Sequence, residues 1–117
     1  MSEEEAASRL TLDIDRTGDA VVVVRCRGRL VAGVHEFLYV EVSQLLPDNK
    51  RIVLDLTDLT HMDSMGLGSL IRLYVSAKSA SCDLELINLG KRIRQLLGMT
   101  HLMSVFTVIG ENNVRLP

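Results

Sequence analysis

The chain has 117 residues, 47% apolar and 24% charged, the size and balance of one folded domain, which excludes wholesale disorder. With 13 Lys+Arg against 15 Asp+Glu the formal charge is -2, and two Phe, two Tyr and no Trp provide no stacking platform. Neither nucleic acid nor an anionic membrane is therefore an expected partner.

The opening Met1-Ser2-Glu3-Glu4-Glu5 is acidic where a signal peptide is basic and then apolar, and the longest apolar run, Ala20 to Val24, cannot span a bilayer. A cytoplasmic location is expected. Residues 1–8 read as a polar, disordered arm, and residues 9–117 as one domain. Leu10 to Asp15 alternates apolar and polar, as a half-buried strand does. Thr17-Gly18-Asp19 is turn chemistry, and Ala20 to Cys26 is a valine-rich strand that completes an antiparallel hairpin and breaks at Gly28.

Beyond Gly33 the spacing changes. Val34, Phe37, Leu38, Val42, Leu45 and Leu46 recur at three and four, one apolar helical face that Pro47-Asp48-Asn49 ends. Ile52 to Leu56 reads as a strand covered on both faces, and Thr57 to Asp63 as a polar loop with Leu59 and Met62 turned inward. A second helix starts near Ser64 with Leu67, Leu70, Ile71 and Tyr74 on its inner face, and Ser79-Ala80-Ser81 closes it. Leu84 to Ile87 is the next strand. The third helix turns Ile93, Leu96 and Leu97 inward and Lys91, Arg92 and Arg94 outward, and Val105 to Val108 is the last strand. The order β-β-α-β-α-β-α-β is an α/β fold, one mixed sheet whose later strands are parallel, with helices packed on it.

Few motifs carry chemistry. Cys26 and Cys82 lie in or beside apolar runs and read as buried thiols, and no metal-ligand spacing or cofactor motif accompanies them. Gly66-Leu67-Gly68 lacks the third glycine and the lysine of a phosphate loop. Ser64 lacks the preceding glycine of a hydrolase elbow, and His61 and Asp63 alone do not make a metal site. His35 and His101 read as helix-surface or helix-end residues. The Lys91, Arg92 and Arg94 cluster reads as a solvated face, with phosphate or partner binding as the minority reading.

The segment that stands apart is Asp63-Ser64 at the start of a helix. Read alone it is an N-cap, yet Gly66 and Gly68 in the first turn weaken a helix, as expected if a partner lies flat on this end or if the backbone must come close to something such as the neighbouring strand. A helix N-terminus also favours a phosphorylated hydroxyl. Asp55-Leu56-Thr57-Asp58-Leu59-Thr60-His61-Met62-Asp63-Ser64-Met65-Gly66-Leu67-Gly68-Ser69-Leu70 resembles the signature of STAS-domain proteins, the bacterial anti-sigma factor antagonists. Leu84 to Leu89 and Ile93 to Leu97 fit the same family, so the resemblance runs from about Leu10 to Val108.

The resemblance implies a non-catalytic switch in transcription regulation, with Ser64 as the phosphoacceptor. The unphosphorylated form is expected to bind an anti-sigma factor that is itself a serine kinase of the histidine-kinase ATPase fold, and so to release a sigma factor. Phosphorylation ends the binding, and a phosphatase acting on phospho-Ser64 restores it. Asp63, Met65, Gly66, Leu67, Gly68 and Arg29 are the expected partner-binding residues, in a monomer or weak dimer. Met65 replaces a small hydroxyl residue common in the family, and Gly28-Arg29-Leu30-Val31-Ala32-Gly33 replaces a Gly-Glu-Leu-Asp type run. Little chain follows the last strand, where the family usually carries a further helix. Alternative readings are a STAS module in a stress-signalling or lipid-transport complex and, behind it, a small serine hydrolase using Ser64 and His61.

Overall fold

A computed structural model describes residues 10–99 and 107–109. The elements are β1 (Leu10–Gly18), β2 (Val21–Leu30), α1 (His35–Ser43), β3 (Arg51–Met62), α2 (Ser64–Ser79), β4 (Asp83–Ile87), α3 (Lys91–Met99) and β5 (Thr107–Ile109). They form a five-stranded sheet in chain order, β1-β2-β3-β4-β5. The β1–β2 pair is antiparallel and the other three pairs are parallel, as the sequence reading required. The expected arm over residues 1–8, His101, and residues 105 and 106 of the last expected strand lie outside the described residues.

Sheet parity separates two faces. Val22, Ile52 and Leu84 share one rung, and Val24, Leu54 and Leu86 the next but one. Leu38 of α1, Leu70 of α2 and Ile93 of α3 join these strand residues in a single core. All three helices therefore cover the same face, the result of right-handed crossovers that always step in the same direction. Val53 and Glu85 point to the other face and are also buried. There the Arg51 guanidinium meets the Glu85 carboxylate, with Nη2 to Oε1 at 3.0 Å. Cys26 and Cys82 are buried free thiols.

Several element boundaries differ from the sequence reading. Thr17 and Gly18 belong to β1, and the hairpin turn is Asp19-Ala20. β2 does not break at Gly28. It runs to Leu30 because Gly28 takes φ 106°, a left-handed conformation that glycine adopts freely, between two irregularities in the β2–β3 ladder.

Thr57 to Met62 is strand, not loop. Asp58, Leu59, His61 and Met62 pair with Arg27, Gly28, Arg29 and Leu30, and the Thr60 hydroxyl donates to the Gly28 carbonyl at 2.9 Å. α1 stops at Ser43, which leaves Leu45 and Leu46 buried in the turn that follows, while Phe37 faces outward at 45% exposure. In α2 the buried row is Leu67, Leu70, Leu73 and Ala77, with Ile71 and Tyr74 only flanking it. In α3, Ile93 and Leu97 are buried as expected and Arg94 is half-buried rather than outward.

Candidate functional site

β3 delivers Asp63 to the start of α2 in extended conformation (φ -108°, ψ -174°), the geometry of an N-cap. Its carboxylate is used twice. Oδ1 accepts from the Gly66 amide at 2.9 Å, and Oδ2 accepts from the Ala32 amide, also at 2.9 Å. The Asp63 amide in turn donates to the Leu30 carbonyl at 3.3 Å. One residue thus caps α2 and ties it to the loop between β2 and α1. The Ala32 amide, then that of Gly66, outweigh a small desolvation cost and, with the Met65 amide and nearby His35, hold the Asp63 carboxyl below the usual carboxylate range.

Ser64 is the first residue of α2 and is exposed, so its hydroxyl stands free of the core at the positive end of the helix. Met65 beside it is 48% exposed. Ser69, one turn on, is buried, and its hydroxyl donates to the Gly66 carbonyl at 2.7 Å. The two serines of this helix start therefore differ completely in access.

The glycines do not share one role. Gly66 is buried, and a Cβ there would stand 2.1 Å from the Leu30 carbonyl oxygen. Of the two expected reasons for this glycine, approach of a partner or of something within the fold, the second holds: it admits β2. Leu67 is buried in the core, as its place on the inner face of the helix requires and against its expected part in partner binding. Gly68 is half-buried, with open space where a Cβ would stand. Of the expected partner-facing residues, Arg29 and Met65 are exposed, Asp63 and Gly68 half-exposed, and Gly66 and Leu67 turned inward.

Arg29 and Asp63 also share a groove of about 610 Å³. The end of β2 and its loop, the end of β3, and α3 form its walls. His61 lines it as well, with Nδ1 2.9 Å from the Thr60 hydroxyl oxygen. His35 is the first residue of α1, as its helix-end reading held.

The STAS domain family model matches residues 11–114. The chain belongs to the STAS domain family. A STAS-domain containing protein of Pseudomonas aeruginosa is 24% identical over 87 residues, 74% of this chain and 86% of that one. An anti-sigma factor antagonist from Mycobacterium paratuberculosis superimposes with a TM-score of 0.75 at 20% identity, covering 86% of each chain. The anti-sigma factor antagonist SpoIIAA in its unphosphorylated form gives 0.73 at 18% identity, covering 87% of this chain and 90% of its own. SpoIIAA of Bacillus in the phosphorylated form is similar too, with a TM-score of 0.69 at 18% identity, covering 87% of this chain and 94% of its own. The fold also recurs in the murine anion transporter Slc26a9, where a TM-score of 0.64 at 16% identity covers 72% of this chain and 14% of the transporter.

The sequence reading of this STAS domain missed the Ala32 amide and the Leu30 carbonyl, because backbone groups carry no side-chain signature. It also missed Asn88, whose side-chain amide donates to Asp55 Oδ1 at 3.2 Å beside the Thr57 hydroxyl at 2.6 Å. Only the aspartate two residues before a threonine hinted at that cluster.

Proposed function

We propose that this STAS domain is an anti-sigma factor antagonist switched by phosphorylation of Ser64. Unphosphorylated, it binds an anti-sigma factor that is also a serine kinase of the histidine-kinase ATPase fold, and the sigma factor goes free. The kinase phosphorylates Ser64 and the complex separates; a phosphatase resets it. The protein itself catalyses nothing in this cycle. The observation that carries the reading is the exposed Ser64 hydroxyl, first in its helix and directly after a fully engaged capping carboxylate. A phosphate there adds between one and two negative charges beside Asp63, so the surface around Met65 becomes costly to desolvate against a partner. The protein similar in fold, SpoIIAA, has been captured in both forms, which supports the reading.

Incubation with a serine kinase of the histidine-kinase ATPase fold that binds this chain, followed by phosphopeptide mapping, tests the switch. Stoichiometric phosphate is expected on Ser64 and none on buried Ser69; label elsewhere with Ser64 clean refutes it. Calorimetric titration of the kinase is the second arm. Ser64→Ala keeps binding and loses regulation, whereas Ser64→Asp weakens binding; equal affinities refute a charge-based switch.

The transporter likeness favours a second reading, a STAS module in another assembly, with protein binding retained and sigma control absent. A hydrolase reading finds less support, since the His61 ring is engaged with Thr60 and no hydrogen bond joins it to Ser64 among the described residues.

A further inference from the structure

We propose that the groove beside Asp63 receives an acidic, apolar-anchored segment of a partner protein; this rests on the reading that this end of the sheet is the partner end. The floor is apolar, built from Val31, Met62, Ile93 and Leu96, with Met99 at the mouth 78% exposed. A row of apolar side chains from an extended or helical segment fits such a seam better than a flat protein surface does.

The rim is cationic. Arg29 and Arg92 both line the groove and are exposed. Neither pairs with a carboxylate among the described residues, whereas Arg27, Arg51 and Arg72 all do. α3, which supplies Arg92, contains no acidic residue. The single carboxylate in the lining, Asp63, already accepts from two amides. The groove is thus locally positive on a chain of net charge -2, and its complement is a segment carrying Asp or Glu beside apolar anchors.

The charge sign also connects groove and switch. Asp63 lines the groove and Ser64 follows it directly. A phosphate on Ser64 adds negative charge next to the groove and so opposes docking of a segment that carries carboxylates.

The test pans a random-peptide display library against the unphosphorylated 117-residue chain, and titrates the best selected peptide by amide chemical-shift mapping. Expected are peptides with Asp or Glu flanking apolar residues, shifts at residues 29–32, 60–63 and 92–99, and binding about tenfold weaker in the double variant Arg29→Glu, Arg92→Glu. Both positions are exposed, so the variant's melting curve should match wild type. Basic or neutral peptides, shifts confined to another face, undiminished binding by the double variant, or no enrichment at all would overturn the proposal. So would groove shifts produced by phosphatidylglycerol vesicles when no peptide produces them. Ser64 stays unmodified throughout, so failure here leaves the phosphorylation mapping standing. Success here with Ser64 never phosphorylated rejects the switch and keeps the groove.

Discussion

Gly66 and Gly68 stand two residues apart on one helix and predict opposite consequences. Gly66→Ala places a methyl 2.1 Å from the Leu30 carbonyl oxygen, and backbone cannot rotate aside as a side chain can. The expected loss is about 3 kcal/mol or more, at the upper end for overpacking. Gly68→Ala meets open space inside a helix and should gain about 0.5–1 kcal/mol. Urea denaturation of both variants checks the pair; similar midpoints would contradict the Leu30 contact.

Asp63 supplies a pH prediction of definite sign. Its carboxyl is held below its unfolded value of 3.8, so the folded state binds its proton less readily than the unfolded chain does. The stability it lends is present above about pH 4 and is lost as pH falls through the depressed folded value. Urea midpoints measured at about pH 7 and at about pH 3 should therefore drop less in Asp63→Asn than in wild type. Asp55 contributes in the same direction: partial burial raises its carboxyl, but hydrogen bonds from Thr57 and Asn88, with nearby Arg25, outweigh it.

At the scale of elements, the Arg51–Glu85 pair joins β3 to β4 on the face away from the helices. Glu85 is fully buried, while the Arg51 side chain is partly open to solvent. Arg51→Met strips a buried carboxylate of this partner and should cost about 3 kcal/mol. Replacing both, Arg51→Met with Glu85→Leu, removes the charge along with its partner and should recover most of that loss. A double-mutant cycle in urea measures the difference; additive losses would show that the two residues act independently.

Strands were legible where burial follows a strict period. Val22, Val24 and Cys26 show it in β2, and the helices at Leu38–Val42 and Leu67–Leu70 follow their own period. The start of β3 was legible instead as an unbroken apolar run, with Ile52, Val53 and Leu54 all buried. Thr57 to Met62 was not, because two register shifts against β2 break the alternation and exposed Thr57, Asp58, Thr60 and His61 give it the composition of a loop. β4 pairs only as far as Asp55, so this half of β3 has one fewer neighbour and less to bury. At the site, Asp63 and Ser64 were legible as a cap and an exposed hydroxyl. The tight seat of Gly66 was not, since it depends on where the Leu30 carbonyl lies, thirty-odd residues earlier in the chain.

Across the whole molecule, the two thiols act as internal probes of opening. Burial first, then the Asp55 carboxylate, pushes the Cys26 thiol up to about 12, and burial followed by Asp83 raises Cys82 as well. Cys26 sits mid-strand in β2, whereas Cys82 lies in the turn between α2 and β4. Labelling by a thiol-specific disulfide reagent near neutral pH should be slow at both, with Cys82 reacting first through local opening and Cys26 only with global unfolding. Mass-resolved labelling across a urea series checks the order; prompt labelling of Cys26 in native buffer contradicts it.

The chain-order sheet bears also on how the protein is made. Each strand pairs with the one synthesised just before it, and no strand waits for a distant partner to be inserted between neighbours. Loop-closure entropy therefore remains modest at every step, and relative contact order stays low for a parallel sheet. The β1–β2 hairpin can form while the rest is still emerging from the ribosome, then serve as a template for β3. The Asp63 contact to the Ala32 amide joins the end of β3 to the loop after β2, so it needs neither β4 nor α3. Assembly in this order completes the groove last, when α3 supplies its final wall.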